Sequence, residues 1–278
     1  MPQHYAVIGN PIAHSKSPLI HAEFARQTGR DMVYTAIFAP LDAFAATVKA
    51  FQSEGGKGVN ITVPFKREAW KSATRLTVRA RMAEAVNTLK FEEDGSILGD
   101  NTDGAGLVRD LCENLKVALT GRQILLMGAG GAARGVLSPL LAQQPAALFI
   151  ANRTIAKAAE LARHFDKEGR IAGGGYEDIA GRAFDLVINA TSSSLADESP
   201  PLSPEVFAPG ALAYDMMYGK GLTPFLRFAR EHGVTHLADG LGMLVEQAAE
   251  SFTLWHSVRP ETVPVIERLR AGLSSPLS

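Results

Sequence analysis

The chain has 278 residues, a length that at roughly 150 residues per domain points to about two domains. Hydrophobic residues make up 46% and charged residues 21% of it, a globular balance that excludes a disordered tail protein and a collagen-like fibre. Lys plus Arg number 28 against 29 Asp plus Glu, a net charge of −1, which argues against a broad basic footprint for nucleic acid or an anionic membrane.

Short β-branched runs alternate with amphipathic stretches from end to end, the pattern of α/β layering. Tyr5–Ile8 and Val33–Phe38 read as strands, with a helix opening at Pro18 between them. Leu41–Glu54 reads as a helix because Phe44, Val48 and Phe51 fall on one face, and Gly55-Gly56 ends it. Val59–Val63 is a third strand, stopped by Pro64, which cannot donate to a ladder. From Ala85 to Gly99 two apolar runs flank Asp94-Gly95, the turn chemistry of a hairpin. A second unit begins near Arg122. Ile124–Met127, Ala147–Ala151, Phe184–Asn189, Ala211–Asp215 and Val234–Ala238 read as its strands, with helices over Thr154–Phe165 and around Phe225–Ala229. Ser192–Pro204 reads as the one long loop. Leu241–Trp255 turns helical, and Pro260 is placed to start a last helix.

The single cysteine, Cys112, cannot form an internal disulfide and fits a reducing compartment. Met1-Pro2-Gln3-His4 lacks the basic stretch and apolar core of a signal peptide. No apolar run reaches the roughly 18 residues that a membrane helix needs. The expectation is a cytoplasmic enzyme without nucleic-acid or membrane partners.

Gly128-x-Gly130-x-x-Ala133 follows a strand and opens a helix. The first glycine turns the chain, the second lets backbone approach a pyrophosphate, and the small third residue lets helix and strand pack closely. The phosphates then sit on the helix N-terminus. About 20 residues on, where an NAD site presents Asp or Glu to the ribose, this chain has Asn152-Arg153-Thr154. Arg153 and Lys157 can pair with a 2′-phosphate, so NADP is favoured over NAD; otherwise Arg153 is a solvated charge at a helix start.

A dinucleotide site fixes no substrate. In the first hundred residues, Ser15 and Ser17 stand two apart at a helix entry, able to hold a carboxylate or a polyol, or with Ser17 simply capping the helix. Thr62 and Lys66 flank the end of the third strand, where open sheets present ligands, although a lysine there is more often a surface charge. Asn87-Thr88 and Asp100-Asn101-Thr102-Asp103-Gly104 bound the hairpin. An Asp and a Lys brought together there make an acid/base pair; the alternative is loop capping.

Taken with Ala85-Val86-Asn87-Thr88, Asn189-Ala190-Thr191-Ser192 and the run from Asp239 to Ala248, these blocks resemble, in order and over nearly the whole chain, the shikimate dehydrogenase family. The resemblance implies reversible NADPH-dependent reduction of 3-dehydroshikimate on the route to chorismate and aromatic amino acids. It implies two α/β domains: a substrate domain over 1–103 plus 241–278 and a Rossmann-type doubly wound NADP domain over 104–240. By the same resemblance, Lys66 and Asp103 form the catalytic pair. With them, Ser15, Ser17, Thr62, Asn87, Tyr218 and Gln247 hold the substrate. Gly128, Ala129, Gly130, Gly131, Ala132, Asn152, Arg153, Thr154, Lys157, Met216 and Gly240 hold NADP(H), no metal is called for, and the molecule is a monomer or homodimer. Glu84 and Ser194 stand where the family usually has glycine, which bears on loop geometry. Rival readings are a quinate-accepting or NAD-using member of the superfamily, a non-catalytic NADP-binding regulator, and an unrelated two-domain dehydrogenase.

Overall fold

The alternation of strand and helix becomes two α/β units in the computed structural model, which describes residues 1–191 and 201–274. Unit 1 comprises Met1–Gly106 and Leu244–Val265; unit 2 comprises Leu107–Met243 and the chain from Ile266 on.

Unit 1 holds strands β1 (Gln3–Gly9), β2 (Met32–Phe38), β3 (Gly58–Ile61), β4 (Arg75–Leu76), β5 (Thr88–Phe91) and β6 (Ile97–Asp100). They form one sheet in the order β2-β1-β3-β5-β6-β4. β1 runs parallel to both neighbours, whereas β5 runs antiparallel to β3 and β6. β5 and β6 are joined by the hairpin foreseen at Asp94-Gly95, where Gly95 has φ +82. Helices α1 (Ser17–Thr28), α2 (Phe44–Ser53), α3 (Lys66–Ser72) and α4 (Val78–Ala83) belong to this unit. α5 (Asp103–Arg109) leaves it and runs on into a π-helical turn at Asp110–Asn114. Ile8, Phe44, Val48, Phe65 and Leu89 lie in its core, the α2 face read from the sequence among them.

Unit 2 holds β7 (Gln123–Met127), α6 (Gly131–Leu141), β8 (Ala147–Ala151), α7 (Ile155–His164), β9 (Ile171–Gly174), β10 (Phe184–Asn189), β11 (Phe207–Asp215), α8 (Pro224–Glu231) and β12 (His236–Asp239). Its strands are all parallel, in the order β12-β11-β10-β7-β8-β9. This is the doubly wound order, with its switch point between β7 and β10. α9 (Leu241–His256) carries the chain back to unit 1, and α10 (Val263–Ser274) follows. Among the described residues no helix is long and apolar enough to cross a membrane.

Several expectations need correction. The last helix starts at Val263, not Pro260: Pro264, lacking an N–H, fits its first turn, while Thr262 just before it donates to Glu246 Oε1 at 2.6 Å. From Ile266 on this helix belongs to unit 2, where Arg270 Nη1 donates to Asp239 Oδ2 at 2.7 Å, so 241–278 does not go to one unit as a block. β9, absent from the sequence reading, ends in two glycines and lies at a sheet edge, where β propensity is a weak signal. Most of the Ser192–Pro204 loop, Ser192 and Ser194 included, lies outside the described residues.

Candidate functional site

In unit 1, Pro64 ends the run after β3 and Lys66 starts α3. A lysine at a helix N-terminus opposes the helix dipole. Asp103, at the start of α5, offsets it: Lys66 Nζ donates to Asp103 Oδ2 at 2.6 Å, with the two side chains 21% and 9% exposed. The other Asp103 oxygen, Oδ1, accepts from Asn87 Nδ2 at 2.8 Å. The Asn87 amide also donates to Thr102 Oγ1 at 2.8 Å and Gln247 Oε1 at 3.3 Å, and its Oδ1 accepts from the Thr102 N–H at 2.8 Å. That backbone donor fixes which way the amide points, and hence which atom faces Asp103. Gln247 is itself tethered, its Nε2 donating to Leu244 O at 2.8 Å.

The strand end before Asp103 is held from behind. Arg79 forks onto buried Asp100 at 2.7 and 2.6 Å and reaches Glu250 at 3.3 Å. Arg259 in turn bonds Glu250 and Glu246, each at 2.5 Å. A bidentate guanidinium gives direction as well as charge.

Ser17 is buried and begins α1, with no side-chain cap hydrogen bond at that helix start, so the capping alternative does not hold. Its N–H donates instead to Ser15 Oγ at 3.3 Å. Thr62 follows β3, its N–H bonded to Ile8 O at 3.0 Å. A Cβ on Gly9 would overlap the Thr62 methyl group, so glycine there lets Thr62 sit against β1. Beneath these residues lies a buried polar cluster that the sequence reading did not assign. Asn60 Nδ2 donates to Thr88 Oγ1 at 3.0 Å, Ser251 Oγ at 2.9 Å and Asn87 O at 3.3 Å, while Tyr34 donates to Asn60 Oδ1 at 2.7 Å. Ser251 had a legible signal, standing one helical turn after Gln247. Tyr34 had none.

In unit 2, the glycine turn sits at the C-terminal end of β7. Gly128 has φ +104, and a Cβ on it would press on the Ala190 carbonyl at 3.2 Å. Gly130 and Gly131, where α6 begins, face open space: an added Cβ on either meets nothing within 4 Å. α6 has no side-chain cap and no acidic residue in its first turn, so its amides are free to meet an anion. Ala129 and Ala132 flank this opening half-buried, and Ala133 is fully buried as the close-packing position requires. Asn152 lies just after β8, its Nδ2 donating to Thr154 O at 3.0 Å. Arg153, Thr154 and Lys157 are exposed at the start of α7, whose first turn also lacks an acid. Met216 and Gly240 follow the paired ends of β11 and β12, so close that a Cβ on Gly240 would overlap Met216 backbone. Tyr218 lies half-buried beyond Met216; burial pushes its phenol up, and the Asp239 carboxylate adds to that shift. These residues fit a dinucleotide with a 2′-phosphate: a glycine cradle open at a helix N-terminus, and cations without a carboxylate at the end of the second strand.

The doubly wound sheet and glycine cradle, together with a second α/β unit carrying a half-buried Lys–Asp pair, define the class: a two-unit protein of the nicotinamide-dinucleotide dehydrogenase type. Family models for the shikimate dehydrogenase substrate binding domain, shikimate/quinate 5-dehydrogenase, and the shikimate 5′-dehydrogenase C-terminal domain match residues 7–89, 110–196 and 240–270. The NADP(+) shikimate dehydrogenase of Nitrosospira multiformis is 64% identical over 98% of both chains. Among solved structures, an Ael1 enzyme from Pseudomonas putida superposes with a TM-score of 0.91 at 53% identity, covering 99% of this chain and 100% of that one. The shikimate 5-dehydrogenase of Thermus thermophilus, solved with NADP(H) and shikimate, has a TM-score of 0.87 at 31% identity, covering 98% and 100%. The chain belongs to the shikimate dehydrogenase family.

Proposed function

We propose that the chain catalyses the reversible NADPH-dependent reduction of 3-dehydroshikimate to shikimate, a step of the shikimate pathway leading to aromatic amino acids. Unit 1 is the substrate-binding and catalytic part and unit 2 the NADP-binding part, in a cytoplasmic monomer or homodimer. The observation that carries this reading is the Lys66–Asp103 pair at 2.6 Å, with Asn87 holding the second Asp103 oxygen at 2.8 Å.

Bound NADPH supplies a hydride to the carbonyl carbon of the substrate. Lys66 donates a proton to the oxygen on which negative charge develops, and its ammonium stabilises that charge before transfer. Asp103 holds Lys66 in place and accepts a hydrogen bond from the neighbouring substrate hydroxyl. Ser15 and Ser17 bind the carboxylate through neutral hydroxyl donors. Thr62, Asn87, Tyr218 and Gln247 complete the polar contacts that orient the ring. In the oxidative direction Lys66 takes the proton back. Gly128, Ala129, Gly130, Gly131 and Ala132 cradle the pyrophosphate, and Asn152, Arg153, Thr154 and Lys157 take the adenosine 2′-phosphate side. Met216 and Gly240 line the nicotinamide end.

The test is optical: NADPH consumption by purified protein with 3-dehydroshikimate, repeated with NADH, and the reverse reaction with shikimate against quinate. Fast turnover with NADPH, slow turnover with NADH and preference for shikimate are expected. Arg153→Ala should raise KM for NADPH about tenfold or more and leave that for NADH unchanged, because only the former has a 2′-phosphate to pair. Absence of turnover while NADPH still binds would refute the reading.

A further inference from the structure

We propose that Thr88 is a positioning residue for the reaction, its hydroxyl holding the Asn87 amide against Asp103. The inference rests on the function proposed above, in which Asn87 and Asp103 meet the substrate and Thr88 meets neither substrate nor cofactor. Thr88 opens β5, fully buried, directly after Asn87. Its Oγ1 lies 2.7 Å from Ser251 Oγ, 3.0 Å from Asn60 Nδ2 and 3.0 Å from Asn87 Oδ1. A threonine hydroxyl has one hydrogen and two acceptor directions, so these neighbours fill it completely.

Hydrogen counting fixes the direction of each bond. The Thr102 backbone N–H can only donate, and it meets Asn87 Oδ1 at 2.8 Å. That atom is therefore the amide oxygen, and the hydrogen between it and Thr88 belongs to Thr88. Asn60 Nδ2 faces the Asn87 carbonyl at 3.3 Å, a group that can only accept, so Asn60 donates on this side and Thr88 accepts from it. With its one hydrogen spent on Asn87, Thr88 also accepts from Ser251. Beyond it, Asn87 Nδ2 donates to Asp103 Oδ1 and to Thr102 Oγ1, each at 2.8 Å, and Asp103 Oδ2 is left to Lys66 at 2.6 Å. The donors thus run one way, from Asn60 and Ser251 through Thr88 and Asn87 to the carboxylate. An amide whose oxygen accepts hydrogen bonds becomes a stronger donor at its nitrogen, and buried chains of this kind reinforce one another. Thr88 tightens the hold of Asn87 on one oxygen of Asp103 and so keeps the other aimed at Lys66.

Two substitutions separate the hydroxyl from the packing. Thr88→Val keeps the branched shape and removes the hydroxyl, whereas Thr88→Ser keeps the hydroxyl and removes the methyl group; melting temperatures check that both fold, and Thr88→Ala takes the place of the valine variant if it does not. Steady-state kinetics with 3-dehydroshikimate and NADPH are expected to show kcat of the valine variant lowered about tenfold, its substrate KM raised less than about threefold and its KM for NADPH unchanged. The serine variant should stay within about twofold of wild type in all three. In an Asn87→Ala background Thr88→Val should add less than about twofold, because its path to Asp103 is already cut. An unchanged kcat in the valine variant, a serine variant as impaired as the valine one, or effects that multiply in the double variant would each overturn the role of Thr88. Failure of the wild-type protein to turn over 3-dehydroshikimate would instead overturn the proposed function, and this role with it.

Discussion

A lysine at the first position of a helix is electrostatically misplaced by a few tenths of a kcal/mol or more, and Lys66 occupies that position with Asp103 at 2.6 Å. Asp103 offsets that cost, and the pair stands where the proposed reaction needs an acid and a base. Lys66→Ala is expected to lower kcat by at least about 100-fold while KM for the substrate changes only a few-fold. A defect confined to KM would remove Lys66 from the chemical step. Glu84 shows a different case, a residue whose backbone conformation is strained. It takes the left-handed conformation, φ 46 and ψ 33, as the C-cap of α4, a conformation that glycine adopts without strain. Glu84→Gly should therefore raise stability by about 1 kcal/mol, read from the urea midpoint. A fall would mean that the contacts of the glutamate outweigh its backbone strain. The Lys66–Asp103 pair was expected from the family resemblance, and the strand and hairpin boundaries at its two ends were consistent with it. Thr88 and Thr102 were visible as polar neighbours but not as partners, since nothing in their spacing says what they face.

At the scale of elements, helix α5 begins in unit 1 and its Gly106 meets the helix that bears Gln247. An alanine Cβ at 106 would lie 2.6 Å from Gln247 N and 2.9 Å from its Cα, backbone that cannot move aside. Helix propensity alone predicts that Gly106→Ala stabilises by about 1 kcal/mol. Overlap decides the sign instead: a loss of about 1–3 kcal/mol is expected in urea unfolding, with substrate KM raised because Gln247 shifts. Gain in stability would mean that the two helices separate freely at this point. Periodicity located α2, α7 and α9 within a few residues because each buries one continuous face. It did not find β4 and β9, which are a two-residue strand and a glycine-ended edge. Local pattern fails where neighbours rather than composition make the strand.

Across the whole molecule, acid stability follows from two histidines in unit 1. Burial drives the fully buried His21 from 6.5 to about 3, with His256 acting in the same direction. Burial, and then the charge of Arg30, lowers His256 to about 4. A histidine whose folded pKa is depressed binds its proton more readily when unfolded. Its contribution is complete above about pH 6.5 and is lost as pH falls toward the folded value. Each can remove up to about 1.4 kcal/mol per pH unit in that window. Urea unfolding at pH 5, 6 and 7 should show stability falling with acidification. His21→Phe, which keeps an aromatic ring against Tyr34, should shed about half of the slope; an unchanged slope would assign it to other groups.

Much about this protein followed from its sequence alone. The α/β class, the cradle at Gly128–Gly131 and the absence of an acid beside Arg153 are all properties of near neighbours in the chain, whereas the choice of Lys66 and Asp103 rested on the family resemblance. Turn chemistry and hydrophobic period act over a few residues, and so they can be read there. Tertiary structure alone decided which polar atoms meet. Tyr34 on Asn60, Ser251 on Thr88 and Arg79 on Asp100 and Glu250 are pairs brought within 3.3 Å from up to 171 positions apart. A hydrogen bond is satisfied or lost within fractions of an ångström, a precision that only the packing of the whole chain sets.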